Sequence, residues 1–574
     1  MSPRKWVSGQ AGRLLRLPLA HLPLAYLPLA YLLLFYFYPL ASILALSLAP
    51  QGWPDLTSLA RLVGSSYYLD IFWFTTWQAA LSTLLTVALG MPGAYVFARY
   101  RFPARSLLEA LITVPFVLPT VVVAVAFTAL LGPRGWLNAT LMRLLGLERP
   151  PLDVQGTLTA ILLAHVFYNA VLVVRMVGTQ WANLDPALAE AARMLGAGRL
   201  RAFREVTLPL LGPSLGAAAL LTFIFCFTSF GVVLILGGGH YATLEVEIYY
   251  RTTRLLDLPL AATLALVQIV VVFGLMTAYT RIQARLAVPQ PLRPRRVTQR
   301  RPRAVGEWAL LVAALIPLLL LLLSPLAALA ERSLTVGEVG GPAHYRALFA
   351  NPRGSIFYVP PVAAVRNSLL FALATVGLSV TLGMMVAVTI AGRGAMKSRP
   401  RRVRLMDPLF MLPLGTSAVT LGLGYIVALD EPPLNLRTSP VLIVLAHTLV
   451  ALPFVVRSVL PALRSIQPQL QEAAAVLGAP PWRVFREIDL PIVARAVAVG
   501  AVFAFTISMG EFGATSLLVR PQFPTLPVAI YRLLGQPGVT NYGQALAMST
   551  LLMLVCTAGF LLIERFRVGE TGEF

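Results

Sequence analysis

Long apolar runs recur from one end of this chain to the other, and they limit its possible folds more than any other feature. Each is long enough to cross the roughly 30 Å hydrocarbon core of a bilayer as a helix. The predicted spans are 26–48, 71–98, 107–131, 157–176, 212–236, 259–280, 307–331, 366–391, 407–430, 439–460, 493–519 and 543–564. Charged residues make up only 12% of the chain, about half the share of a soluble domain. The sequence therefore predicts an all-α polytopic membrane protein with about twelve transmembrane helices.

Basic residues cluster in short segments between the spans, and this sets the predicted orientation. Clusters at the N-terminus, at 99–105, 281–303 and 393–404, and at the C-terminus share one side of a twelve-span chain. The positive-inside rule makes that side the cytoplasm, so both termini are predicted to be cytoplasmic, although Arg134, Arg143 and Arg149 then lie outside. The net charge of +22 arises from these loops. Because no aromatic and basic surface for stacking on bases accompanies it, nucleic-acid binding is not predicted.

A repeat divides the chain. The stretch Glu-Ala-Ala-Arg-Met-Leu-Gly begins at Glu190, and Glu-Ala-Ala-Ala-Val-Leu-Gly begins at Glu472, an offset of 282 residues. The same offset relates Phe230-Gly231 to Phe512-Gly513. We interpret this as a tandem duplication of a six-helix unit. The predicted divisions are a leader (1–25), a first half (26–280), a basic cytoplasmic linker (281–306) and a second half (307–574).

The N-terminal segment contains Pro18, Pro23 and Pro28, five residues apart. Prolines at this density oppose a continuous helix. We interpret the segment as a mobile leader before the first span, with a cleavable signal peptide as the alternative.

Both copies of the repeated motif lie on the basic side, between the fourth and fifth spans of their half. Glu-Ala-Ala favours helix, and Gly196 or Gly478 can end that helix with a turn. A short amphipathic segment with Phe203 or Phe485 follows, and Leu-Pro then begins the next span. The pattern predicts a helix–turn–helix against the membrane with an exposed tip, which can transmit force to or from a cytoplasmic partner.

The motif resembles the EAA loop of binding-protein-dependent ABC importer permeases. The resemblance to this family extends over nearly the whole chain. The resemblance implies that each loop couples the permease to an ATPase subunit, and hence two ATPase copies, an extracytoplasmic binding protein and a location in the bacterial inner membrane. It implies that Gly196 and Gly478 shape the coupling turns. The implied coupling residues are Glu190, Ala191, Ala192, Gly196, Phe203 and Pro209, and Glu472, Ala473, Ala474, Gly478, Phe485 and Pro491.

The chain itself is expected to bind no cofactor, with ATP and Mg²⁺ held by the partner. The segment from Gly392 to Ser398 approaches a phosphate-binding loop, but Met396 stands where that motif requires glycine before lysine. No catalytic or metal-ligand spacing is present, so the chain is not predicted to be an enzyme. Cys226 and Cys556 lie within apolar stretches and are predicted to be buried thiols.

The sequence constrains the transported solute less than it constrains the class of transporter. Leu-Gly-Gly-Gly from Leu236, followed by Ala-Thr-Leu-Glu from Ala242, is similar to thiamine-type permeases, and Thr-Leu-Pro from Thr525 is similar to both thiamine-type and iron-type members. Thiamine is the first expectation, with ferric iron, polyamines or sulfate as alternatives. An ion-gradient secondary transporter is the alternative class, because such proteins also use repeats and buried carboxylates.

Polar residues within the predicted spans are candidates for a translocation path. Glu511 is a carboxylate at a depth where charge is costly. It could line a path for a cation, or it could be a helix-packing or gating carboxylate that is hydrogen-bonded to a neighbour. Thr228 and Ser229 occupy the equivalent region of the first half, where hydroxyls commonly pack between helices. His165 and Asn169 are expected to be packing groups.

Overall fold

The computed structural model describes residues 22–286, 299–336, 339–349, 360–391, 407–430 and 434–568. Most of the predicted leader, the centre of the predicted linker and the segment from Gly392 to Ser398 lie outside these residues. The predicted boundaries between leader, halves and linker therefore stay predictions.

Helices account for nearly all of the described chain. In chain order they are α1 (Leu22–Leu32), α2 (Tyr38–Leu48), α3 (Thr57–Gly64), α4 (Ser66–Arg99), α5 (Arg105–Val117), α6 (Thr120–Leu131), α7 (Trp136–Leu145), α8 (Leu158–Asn183), α9 (Pro186–Met194), α10 (Arg199–Ala202), α11 (Leu208–Phe227), α12 (Gly231–Leu236), α13 (Leu244–Thr253), α14 (Leu258–Leu286), α15 (Val305–Leu334), α16 (Ala343–Arg346), α17 (Pro361–Ala391), α18 (Asp407–Gly415), α19 (Ala418–Ala428), α20 (Val441–Ser465), α21 (Pro468–Val476), α22 (Pro481–Val484), α23 (Leu490–Gly510), α24 (Gly513–Leu518), α25 (Leu526–Leu534) and α26 (Val539–Val568). Two short strands, β1 (Thr335–Val336) and β2 (Val339–Gly340), pair antiparallel after α15.

Eleven helical segments among the described residues are long and apolar enough to cross a membrane, and a bent pair raises the number to twelve. The pair is α18 and α19, which meet at an angle of 99°. Because a bilayer interior offers no water to unpaired backbone groups, helices that satisfy their own backbone are the expected solution. The prediction of an all-α polytopic membrane protein with about twelve spans is confirmed.

The chain divides into two compact units, and each combines segments that are distant in sequence. The smaller unit contains residues up to Ser42, Leu369–Leu414 and Gly424–Ser508. The larger unit contains Ile43–Ser368, Gly415–Leu423 and Met509–Phe574. In the larger unit α6 is surrounded by protein, since every residue from Val121 to Phe127 is at most 2% exposed. A helix that is apolar on all sides suits this central position.

The fifth and eleventh spans are interrupted, whereas the sequence predicted continuous helices at 212–236 and 493–519. Helix α11 ends at Phe227 and α23 at Gly510, and the short helices α12 and α24 follow after breaks of a few residues. Apolar composition continues across both breaks, so hydropathy does not reveal them.

Close helix packing is repeated in the two sequence copies. A Cβ atom at Gly90 on α4 would lie 2.8 Å from Cβ of Val173 on α8, within the larger unit. In the smaller unit, a Cβ atom at Gly383 on α17 would lie 2.7 Å from Cγ1 of Val455 on α20. Small residues allow such close approach between transmembrane helices. The two pairs occupy matching positions of the repeat, so the duplication preserves packing as well as motif.

Gly383→Ala is expected to lower the melting temperature of the detergent-solubilised protein. The added methyl group has no room against Val455, and overpacking of this kind costs about 1–3 kcal/mol, more than the helix propensity that alanine supplies. The matched control is Gly377→Ala on the same helix, where a Cβ atom would meet nothing within 4 Å. Thermal unfolding monitored by intrinsic fluorescence measures both; equal melting temperatures would contradict the packing interpretation.

Candidate coupling loops and helix-break centre

The two copies of the Glu-Ala-Ala motif form the same local structure. In each copy the first helix begins with a proline, as α9 (Pro186–Met194) or α21 (Pro468–Val476). Proline suits a first helical turn because its missing N–H would have no intrahelical partner. In the first copy the Asp185 side chain also caps the helix, accepting a hydrogen bond from Ala187 N at 3.0 Å. Glu190 and Glu472 lie exposed on these helices.

Glycine ends both helices in the left-handed conformation. Gly196 has φ +91° and Gly478 has φ +83°. Gly196 N donates to Arg193 O at 3.0 Å and Ala197 N donates to Ala192 O at 3.1 Å. The second copy repeats both hydrogen bonds one sequence offset later. This pair of hydrogen bonds is the Schellman motif, which satisfies the last carbonyl groups of a helix and favours glycine at the turn.

The helices after the turns are held by different chemistry in the two copies. In the larger unit, Phe203 stacks on Trp181 of α8 with ring centroids 5.9 Å apart. In the smaller unit, the Gln471 side chain donates to the buried carboxylate of Asp489 at 2.7 Å. Pro209 and Pro491 lie near the starts of α11 and α23. A shared backbone geometry is thus stabilised by separate contacts.

The tips of both loops expose large apolar side chains. Met194 and Leu195 are 88% and 90% exposed, and Val476 and Leu477 at the matching positions are each 87% exposed. We call these four residues the apolar tips. Large exposed apolar side chains at the end of an ordered turn are typical of a protein-binding surface. The sequence pattern predicted an exposed tip, and the structure shows that these large apolar side chains form it.

Glu511 lies in the second helix break, where its carboxylate caps α24. Its oxygens accept hydrogen bonds from Ala514 N at 2.8 Å and Thr515 N at 2.9 Å, and from the Thr515 hydroxyl. Carboxylates stabilise helix N-termini by pairing with these otherwise unbonded N–H groups. The contacts suit the packing alternative of the sequence analysis; a role in the solute path stays a prediction.

Ser229 lies in the first break, at the position that matches Glu511. Its hydroxyl hydrogen-bonds Nε2 of the buried His165 at 2.9 Å, and Nδ1 of His165 hydrogen-bonds Ser82 at 2.9 Å. Thr228 donates to Ile224 O at 2.9 Å, within its own helix. Asn169 donates to His165 O at 2.9 Å. His165 and Asn169 therefore make the interhelical and intrahelical hydrogen bonds expected of packing groups.

A second histidine, His447, occupies the position that matches His165, and the sequence analysis missed it. Its Nδ1 hydrogen-bonds the Ser508 hydroxyl at 2.7 Å, and Ser508 in turn contacts Thr375 at 3.4 Å. The offset of 282 residues between His165 and His447 was the available signal. Cys226 and Cys556 are both buried and free, as predicted.

Glu245 on α13 is a further buried carboxylate that the sequence analysis did not single out as a site. The side chain is fully buried and accepts a hydrogen bond from Gln268 Nε2 of α14. Burial raises the pKa of Glu245 to about 7, although hydrogen bonds with Ser417 and Gln268 oppose the rise. Desolvation dominates because it penalises the charged form. The carboxyl group is consequently partly neutral near physiological pH.

Glu245 should make stability pH-dependent in a defined direction. The pKa of Glu245 in the folded protein lies above the usual 4.5. The stabilising contribution of the neutral carboxyl group is therefore complete below pH 4.5 and is lost as the pH rises to about 7. We expect the melting temperature of the wild type, relative to Glu245→Gln, to fall between about pH 4.5 and pH 7 and to level off above that. Glu205→Gln, at an exposed position, serves as the control. A wild-type-minus-variant difference that is constant with pH would contradict the assignment.

Together the fold and these sites define a class of protein: a polytopic α-helical permease that is built from two similar halves. Each half carries an exposed loop, and the two loops have the same local structure. Comparison with known families gives the particular family. Residues 87–288 and 379–567 each match the family described as binding-protein-dependent transport system inner membrane component. The chain belongs to this family of ABC importer permeases, which are multi-pass inner membrane proteins and transport subunits, not enzymes.

Relatives of two lengths match this chain, some over nearly all of it and one over about half of it. The thiamine transport system permease protein ThiP of Escherichia coli is 30% identical, over 87% of this chain and 89% of the relative. The protein of the same name from Brucella abortus is 28% identical, over 93% of this chain and 96% of the relative. A Salmonella typhimurium permease protein named for 2-aminoethylphosphonate transport is 30% identical, over 44% of this chain but 89% of its own length. That relative corresponds in length to one half of this chain. Its length and the double family match both agree with a duplication.

Proposed function

We propose that this chain is the membrane-spanning subunit of an ATP-driven thiamine importer. The observation that carries the coupling role is the repeated loop, since both copies have the same glycine turn and the same exposed apolar tip. Names of full-length relatives support thiamine as the solute. The partners are two copies of a cytoplasmic ATPase subunit, which hold ATP and Mg²⁺, and an extracytoplasmic binding protein that delivers the solute.

Transport proceeds by alternating access in this proposal. The loaded binding protein docks outside across both halves, and the two ATPases close together when they bind nucleotide. Their closure moves the loops that begin at Glu190 and Glu472, and the loops rotate the helices to which they are joined. The loops face the cytoplasm in this orientation, as do both termini. A loop fixed to its helix by ring stacking or a buried hydrogen bond can transmit such a force.

The test is ATP hydrolysis by the permease reconstituted with the ATPase and binding protein encoded beside it, with thiamine or ferric iron added separately. We expect thiamine to stimulate hydrolysis and iron to have no effect. Stimulation by iron alone would replace the proposed solute but keep the class. An ion gradient that drives uptake without ATP would instead support a secondary transporter. Failure of the permease to assemble with any ATPase would overturn the importer mechanism.

A further inference from the structure

The two helix breaks place an aromatic ring from each sequence copy against the other. Phe230 lies between α11 and α12, and Phe512 lies between α23 and α24, at matching positions of the repeat. Their rings stack with centroids 5.4 Å apart and planes inclined at 23°. Both residues belong to the larger unit, and they are only 8% and 3% exposed. The two sequence copies therefore contact each other here through one buried ring from each.

Each phenylalanine is flanked by a tyrosine of its own copy. Phe230 and Tyr249 have ring centroids 5.3 Å apart at 58°, and Phe512 and Tyr531 have centroids 5.4 Å apart at 62°. Tyr249 and Tyr531 are themselves related by the repeat offset of 282 residues. The four rings form an aromatic row, in the order Tyr249, Phe230, Phe512, Tyr531. The distances and angles on the two sides are nearly equal, so the row has approximate local two-fold symmetry about its central stack.

The surroundings leave the central rings little space to turn aside. A side chain at Gly231 would collide with Thr120 and would come within 3.2 Å of the Phe512 ring. A Cβ atom at Gly513 would lie 2.8 Å from the Ala418 side chain. Close packing of this kind favours discrete rearrangement over gradual deformation. The stack should therefore open by separation of the two copies.

Symmetry also determines which contact has to change. Each outer pair joins residues of one copy, so it can move with that copy as a rigid group. The central pair joins the two copies, as does the hydrogen bond between Tyr531 and Arg254, and a rotation of one half against the other must separate both contacts. The helix breaks on both sides supply the points at which the backbone can bend.

We propose that the Phe230–Phe512 stack is the closed gate of the solute path, and that each phenylalanine retains its tyrosine when the gate opens. This inference rests on the proposed function, because alternating access requires a path between the halves. Two buried aromatic rings in contact exclude water and ions from that path. Opening would replace the ring–ring contact with the passing solute.

Cross-linking tests the gate in the assembled transporter. With Cys226 and Cys556 replaced by alanine, Phe230→Cys and Phe512→Cys are introduced together and treated with a short bifunctional thiol reagent. We expect cross-linking to stop solute-stimulated ATP hydrolysis and uptake, with recovery after cleavage of the linker. The cross-linking yield should fall when ATP and a hydrolysis-deficient ATPase hold the outward-open state. The matched control pairs Phe230→Cys with Tyr249→Cys; because both residues lie in one copy, its cross-linking yield should be equal in the two states.

A leak measurement tests the seal without any ATPase or solute, so it separates failure of the gate from failure of the proposed function. Full-length permease in liposomes is assayed for release of a trapped small polar dye. Phe230→Ala with Phe512→Ala should increase release about tenfold, which corresponds to a stack worth about 1.4 kcal/mol. Phe225→Ala, at a position 42% exposed, should leave release unchanged. Unchanged release in the double variant, or normal uptake by the cross-linked protein, would overturn the gate. Absence of solute-stimulated hydrolysis in the unmodified assembled transporter would instead count against the importer mechanism.

Discussion

Replacing Leu195 and Leu477 together by aspartate is expected to abolish binding of the ATPase while the permease stays folded. Both side chains are almost fully exposed, so the permease loses no internal packing. If the apolar tips insert into the ATPase, each leucine contributes about 1.5–3 kcal/mol of burial. An aspartate at the same place would also be desolvated without a partner. The affinity should therefore fall by more than about 100-fold.

Co-purification of a tagged ATPase with the permease measures this loss, and gel filtration of the permease checks its fold. The control is Leu144→Asp on α7, which removes a leucine that is 76% exposed but lies outside both loops. In the proposed orientation that position faces away from the cytoplasm. Retention of the ATPase by the loop variant would show that the tips do not dock it. Equal loss in the α7 variant would point to a general effect of surface charge.

The architecture was accessible from sequence because two signals agree. Apolar runs predict the spans, and the repeated motif predicts the loops, including the positions of the turn glycines. Both signals depend on local composition and order. The Schellman turns at Gly196 and Gly478 follow from glycine's freedom to adopt positive φ, which is a property of one residue. Such features need no knowledge of distant contacts.

The helix breaks were not accessible in the same way. Thr-Ser-Phe and Glu-Phe in an apolar run are compatible with continued helix, and what interrupts them is tertiary contact. Glu511 is the clearest case, because sequence left a lining role and a packing role equally open, and its hydrogen bonds to backbone N–H groups were visible only in the structure. Glu245 was inconspicuous for a similar reason: its burial against Gln268 depends on how α13 folds back on α14.

Some long-range features could have been found by applying the repeat more fully. His447 and Tyr531 are obtained by adding the offset to His165 and Tyr249. What the offset cannot provide is the contact between copies. The Phe230–Phe512 stack joins matching residues, and sequence matching identifies the pair without showing that its members touch.

The second large effect is expected from valine at both Gly196 and Gly478. Neither position is crowded, since a Cβ atom would meet nothing within 4 Å at either glycine. The cost lies in the backbone, because a left-handed conformation costs an L-residue about 1–2 kcal/mol, and a β-branched residue is restricted further. The turn should relax to another geometry and displace the apolar tip. We expect ATP-dependent uptake to be lost in the double variant, measured in proteoliposomes as solute accumulated per ATP hydrolysed.

Gly198→Ala is the matched control because Gly198 lies in the same loop, also in open space, but has φ −63°. Any residue can adopt that angle, so uptake by this variant should resemble the wild type. If the double valine variant still transported solute at the normal ratio to ATP, the turn geometry would not matter to coupling and the assignment of these loops would be wrong. If uptake failed while hydrolysis continued, the ATPase would still be docked, and the loss would lie in transmission of its movement through the loop.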